Sequence, residues 1–148
     1  MVNNYLITCT VTQPELSLVV KNNILVLVPV DDFLTGDMDG GIWEVDMDNN
    51  HARGPGGIHH LYNKKYDVYV DDRHGQGVLV KRVNIGREEP LLAFEFIEFA
   101  DEHGGAAYWH IGTTDTDTFY MNKKGISSVG FAKGTREQSV WLLTPYQA

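Results

Sequence analysis

Ile42-Trp43-Glu44-Val45 is an apolar strand built around an aromatic ring, and the chain repeats it twice. It returns as Ala93-Phe94-Glu95-Phe96 and again as Val140-Trp141-Leu142-Leu143. The aromatic residues lie 51 and 47 positions apart, a period near 50. Recurrence at a fixed interval says more about architecture than the propensity of any one segment. Glycine pairs mark the opening of the second and third sets. Gly56-Gly57 precedes Ile58-His59-His60-Leu61-Tyr62, and Gly104-Gly105 precedes Tyr108-Trp109-His110-Ile111.

Outward from these stretches, no segment sustains a helical period. Short runs rich in Val, Ile, Leu, Tyr and Phe alternate with Gly, Asp, Asn and Pro clusters, the pattern of an all-β chain. Twelve strands are expected: 5–11, 16–21, 24–30, 42–46, 58–62, 66–70, 78–83, 91–99, 107–111, 118–121, 127–132 and 140–144. They fall into three pseudo-repeats, roughly 1–50, 51–102 and 103–148, within one domain. Three four-stranded units of about 50 residues are what a β-trefoil requires: six strands close a short barrel and six form hairpins capping one end. Trp43, Phe94 and Trp141 are then equivalent core residues. A barrel or sandwich of eight to ten strands is the competing fold, and neither predicts threefold recurrence.

The whole chain narrows the function classes. Its 148 residues can bury roughly two-thirds of the unfolded surface, enough to fold without disulfides or metal. A formal net charge of −8 repels nucleic acid and anionic membrane, so neither is an expected partner. No run approaches the ~18 apolar residues of a membrane helix. Met1-Val2-Asn3-Asn4 lacks the basic and apolar regions of a signal peptide, which implies a soluble protein, cytoplasmic or secreted without a leader. A monomer or weak homodimer is expected. Cys9 sits in an apolar stretch, where a buried inert thiol is the plain reading.

Catalytic and metal patterns fail on spacing. His59 and His60 are adjacent in a strand and point to opposite faces, so they cannot chelate one ion together. Counted from Asp46, the bidentate Glu position of an EF-hand is Gly57. No serine sits in a nucleophile elbow. We expect no enzyme activity, metal or cofactor. What is left is recognition by loops on a rigid scaffold. Three exposed tips are candidates: Lys21-Asn22-Asn23, Asn63-Lys64-Lys65 and Lys123-Lys124-Gly125, the principal basic spots on an acidic chain.

Tyr5-Leu6-Ile7, Ile42-Trp43-Glu44-Val45 and Glu102-His103-Gly104 leading into Ala107-Tyr108 resemble the fungal β-trefoil peptidase inhibitors of the mycocypin and cospin type. The resemblance implies a defence protein whose exposed loop enters a protease active site. Lys21, Asn22 and Asn23 would form a loop directed at a serine protease. Asn63, with Lys64 and Lys65, would suit a protease that cuts after asparagine. The chain is also similar to trefoil lectins. The Gln-x-Trp motif of the ricin type is missing or displaced at Gly41-Ile42-Trp43, Leu92-Ala93-Phe94 and Gln138-Ser139-Val140-Trp141, which leaves a single carbohydrate-binding site using Tyr108, Trp109, His110, Asp115 or Asp117. Gln13-Pro14-Glu15-Leu16-Ser17-Leu18 and Phe119-Tyr120-Met121 resemble the interleukin-1 family, implying a receptor ligand. That pattern departs at Ile111-Gly112-Thr113 and Asp117.

Overall fold

The computed structural model describes residues 3–45, 55–82, 93–101, 106–114, 117–134 and 136–146. The strands, in chain order, are β1 (Asn3–Cys9), β2 (Leu16–Lys21), β3 (Ile24–Pro29), β4 (Ile42–Val45), β5 (Pro55–His59), β6 (Tyr62–Asn63) and β7 (Val68–Arg73). They continue as β8 (Gln76–Lys81), β9 (Phe94–Asp101), β10 (Ala107–Thr113), β11 (Phe119–Lys124), β12 (Ser128–Lys133) and β13 (Trp141–Pro145). The fold is all-β. No helix among the described residues is long and apolar enough to cross a membrane.

Antiparallel pairing closes the sheet on itself. β1 pairs β4 on one side and β13 on the other, β13 pairs β10, and β10 pairs β9. On the other side β4 pairs β6, and the ring runs on through β7, β8, β12 and β11 back to β10, while β5 pairs β9 outside it. The sequence suggests one strand over Ile58–Tyr62, but the structure breaks it at His60-Leu61 between β5 and β6. Leu61 turns its side chain fully into the core, and its carbonyl accepts the N–H of Val70 at 3.0 Å. Closure leaves few open edges, which is how an all-β chain avoids pairing with its neighbours.

Alternation fills the barrel. Ile7 and Cys9 on β1, Trp43 and Val45 on β4, Phe94 and Phe96 on β9, Trp109 and Ile111 on β10, and Trp141 and Leu143 on β13 all enter one core. Period-two spacing puts each such pair on the inner face. The three recurrent aromatics are buried alike, at 0% for Trp43, 0% for Phe94 and 1% for Trp141. Each tryptophan also meets the obligation of its indole N–H in the same manner. Trp43 Nε1 donates to the Leu18 carbonyl on β2 and Trp141 Nε1 to the Met121 carbonyl on β11, both at 2.9 Å. Phe94 has no such donor and instead stacks on Phe131 at 5.3 Å.

Three hairpins, β2–β3, β7–β8 and β11–β12, converge on one end of the barrel. The Leu27 N–H bonds the Ser127 carbonyl at 2.8 Å, joining the first hairpin to the third. The Phe131 N–H bonds the Gly75 carbonyl at 2.8 Å, joining the third to the second. Gly77 lies where the three meet. A Cβ there would stand 2.9 Å from the Val129 carbonyl oxygen and 3.2 Å from a Leu25 methyl, so only glycine lets the hairpins approach this closely.

The sequence reading extends the third strand to Val30 and leaves the next residues as loop. In the structure β3 stops at Pro29, and a short helix, α1 (Val30–Thr35), follows. It has no run of apolar residues to announce it. Phe33 alone anchors it in the interior, over a 3₁₀ turn at Met38–Gly41. The helix lies outside the barrel and does not cross its core.

Candidate functional site

The tip of the first hairpin is a two-residue turn. Lys21 pairs Ile24 directly, and Asn22 and Asn23 between them sit at φ 53° and 63°. A turn of this length matches the right-handed strand twist in a mirror-image form, and the form adopted here puts both central residues in the left-handed region. Asparagine tolerates that region better than any residue but glycine. The second hairpin solves the same problem with His74 and Gly75, at φ 55° and 84°. The third uses a three-residue loop opened by Gly125 at φ 60°. As sequence, Asp71-Asp72-Arg73-His74-Gly75 reads only as a turn between strands. The structure makes His74-Gly75 the missing third partner of the Lys21–Asn23 and Lys123–Gly125 tips.

The three tips surround a cleft of about 630 Å³. Asn23, Ile24, Gln76 and Lys124 form its rim, and Val78 and Leu79 form part of its apolar wall. Lys124 Nζ crosses between hairpins to donate to the Gly75 carbonyl at 3.0 Å. A second cleft, about 500 Å³, lies on the opposite flank of the first turn. Lys21 and Asn22 line it together with Val28, Phe33, Asp37 and Tyr66. The Lys21–Ile24 turn is therefore a ridge between two hollows.

The remaining predicted tip behaves differently. Asn63 is 0% exposed and is no part of a surface loop. Its Nδ2 reaches the carbonyls of Asp39, Gly40 and Ile42 at 3.0, 3.1 and 3.2 Å, and its Oδ1 accepts the Tyr66 N–H at 3.0 Å. The expectation that Asn63 faces a protease is corrected: the amide is spent inside the protein, holding the 39–42 segment against the 63–66 turn. Lys64 remains exposed. Lys65 reaches over Tyr66 to bond Asp37 at 2.7 Å, and the Tyr66 hydroxyl donates to the other oxygen of the same carboxylate.

That triad has a definite pH signature. The hydrogen bond from Lys65, then that from Tyr66, holds the Asp37 carboxyl below its ordinary 3.8, and accepting the phenol proton raises Tyr66 above 10.0. The lowered acid contributes above 3.8 and loses its contribution as pH falls through the still lower folded value. The raised phenol contributes below 10.0 and loses it as pH rises through the folded value. Tyr66 ring resonances are expected to move only outside this window, and Asp37→Asn should abolish the acid-side change in an NMR titration. The effect on stability will be small, because Asp37 and Lys65 are both more than 40% exposed.

Of the predicted sugar-binding residues, few share a face. Trp109 points inward and packs edge-on against Phe96 at 6.3 Å. His110 is buried as well, its Nδ1 2.7 Å from the Ser139 carbonyl and its ring stacked on Phe99 at 4.1 Å. Tyr108 is half-buried beside Phe99. Asp117 is exposed and lies 3.6 Å from Lys133. Asp115 lies outside the described residues. Trp109 and His110 are thus withdrawn from any sugar-facing surface by the alternation of β10 and by the Ser139 contact.

No family model, curated protein or solved structure matches this chain. Its functional reading therefore rests on its own geometry. On the aromatic side, that geometry adds one residue the sequence concealed. The β9–β10 register shifts between Tyr108 and Trp109, which leaves Phe99 without a cross-strand partner and 43% exposed. A bulge re-aims a side chain in a way no periodic pattern announces.

Proposed function

We propose that the chain is a β-trefoil and works as a non-enzymatic binding protein, a peptidase inhibitor that offers the Lys21–Ile24 turn to its target. The circuit of strands closed by β1 and β13, the three hairpins gathered at one end, and the like burial of Trp43, Phe94 and Trp141 support the fold reading. One observation carries the functional reading: the turn stands between two clefts with both asparagines already in the conformation the tight turn requires. Ordering a flexible residue costs roughly 1–2 kcal/mol of backbone entropy, and a preformed turn avoids that cost on binding. The exposed Lys21 supplies charge at its base.

A panel of serine and cysteine peptidases tests this directly. At least one should be inhibited at stoichiometric amounts, and Asn22→Ala with Lys21→Ala should weaken that inhibition at least tenfold, while Lys64→Ala leaves it unchanged. A panel with no member slowed would overturn the reading. The carbohydrate reading draws on a single feature, the exposed Phe99 beside Tyr108, an apolar surface on which a sugar ring can stack. Glycan-array binding lost on Phe99→Ala would favour it instead.

A further inference from the structure

The hairpin end of this acidic protein is locally basic. Lys21, Arg73, His74, Lys123 and Lys124 stand at or beside the three tips, on a chain of net charge −8. Arg73 lies 3.6 Å from the buried Asp71, and Asp72 accepts the Gly75 N–H at 2.9 Å, so the excess of positive charge comes from Lys21, Lys123 and Lys124. Lys21, Lys123 and Lys124 pair with no carboxylate among the described residues. Lys123 and Lys124 instead donate to the Gly125 and Gly75 carbonyls, bonds that fix their heads without neutralising them. Among these cations and the polar Asn23 and Gln76 stand two exposed isoleucines. Ile24 is 59% exposed and Ile126 is 90% exposed, the largest value among the exposed large hydrophobics. The 630 Å³ cleft opens beside Ile24, with Val78 and Leu79 behind it.

We infer that this three-hairpin end docks an acidic protein segment that inserts an apolar side chain into the cleft. The inference deepens the binding-protein reading given above and rests on it. Charge complementarity selects the sign of the partner: unneutralised ammonium groups favour a negative segment and steer its approach. Ile24 on the cleft's rim, Val78 and Leu79 in its wall and Ile126 exposed on the neighbouring tip select its chemistry. A polysaccharide sulfate has nothing to place against Ile24, Ile126 and Val78, and a long polyanion would run off the basic end onto a repelling surface. A short acidic peptide with a leucine-like side chain meets both features, with the apolar residue as the central anchor and the charges at the rim.

The test is an NMR titration of the intact chain at low ionic strength with acetylated, amidated Glu-Glu-Leu-Glu-Glu. Gln-Gln-Leu-Gln-Gln, Glu-Glu-Ser-Glu-Glu and a heparin hexasaccharide serve as comparisons. Amide shifts are expected around Ile24, Gln76 and Gly125, with the Glu-Leu peptide binding more tightly than each comparison. Lys124→Met combined with Ile126→Ser should weaken it about tenfold, as expected from losing one exposed charge contact and one apolar contact. Methionine keeps the alkyl chain that lies across Gly130, so the fold is preserved and the spectrum reports it. Equal binding of the Gln or Ser peptide, shifts away from the hairpin end, or tighter binding of heparin would overturn the inference. Peptidase inhibition that survives Lys124→Met with Ile126→Ser also sinks it while sparing the inhibitor reading. Cap binding without any inhibited peptidase does the reverse.

Discussion

Trp43→Ala is expected to remove about 3–5 kcal/mol of stability, the range for deleting a large aromatic from a packed core. Domains of this kind hold only ~5–15 kcal/mol in total, so the variant should be marginally folded at best. Two effects combine. The ring is fully buried among the inner-face side chains, and its removal leaves a void that neighbouring strands cannot close without breaking their pairing. The indole N–H also satisfies the Leu18 carbonyl, which would be left unpaired. Trp43→Phe separates these contributions. It keeps most of the packing and loses the hydrogen bond, with an expected cost of about 1–3 kcal/mol. Trp141→Phe should cost a similar amount, since its N–H serves Met121 in the same way. Urea unfolding followed by circular dichroism measures all three. A loss below about 1.5 kcal/mol for the alanine variant would show that the ring does not occupy the core.

Asn63 should be nearly as sensitive. Asn63→Leu matches its size but abandons four hydrogen bonds, three of them to main-chain oxygens of the 39–42 segment. Leaving such buried groups unpaired costs about 1–3 kcal/mol each where water cannot reach them, and partial solvation of the loop brings the expected total to about 3–4 kcal/mol. Asn63→Asp should be worse at neutral pH. A carboxylate has no donor to offer and would face three carbonyl oxygens, an uncompensated buried charge. That variant should recover part of its stability as pH is lowered toward the acid range, where a protonated carboxyl regains one donor. The leucine variant should show no such recovery. Gly40 lies 2.7 Å, measured from an ideal Cβ, from the Val20 carbonyl, so the segment has no slack with which to adapt.

The outline of the fold was readable because its strongest signals are periodic. Trp43, Phe94 and Trp141 recur near 50 residues, and strand alternation around each places its neighbours inside or outside. Signals that depend on a single residue were not readable. Asn63 lies between Tyr62 and Lys64, and a polar residue beside a lysine reads as a surface tip. Only the tertiary arrangement turns its amide toward three carbonyls. Helix α1 rests on Phe33 alone, too little for a periodic pattern. The same holds at the site. Asn22-Asn23 announces a tight turn through its chemistry, yet nothing local tells that His74-Gly75 and Gly125 will stand beside it. Phe99 is exposed by a one-residue slip in register, and Trp109 and His110 are withdrawn by contacts with Phe96 and Ser139 from distant strands.

The seam between β1 and β13 also constrains how the molecule is made. Cys9 pairs Trp141 and Tyr5 pairs Pro145, so β1, once synthesised, waits for a strand more than 130 residues later. At ~5–20 residues per second on a ribosome, that interval lasts roughly 7–30 s. Throughout it one flank of the nascent first strand has no mate, and the cavity destined for Trp141 stays open to solvent. Pairings of such long sequence separation also slow refolding in vitro. The vulnerable interval for this protein is thus the one before β13 reaches β1, when a chaperone or a neighbouring nascent chain can reach that bare flank.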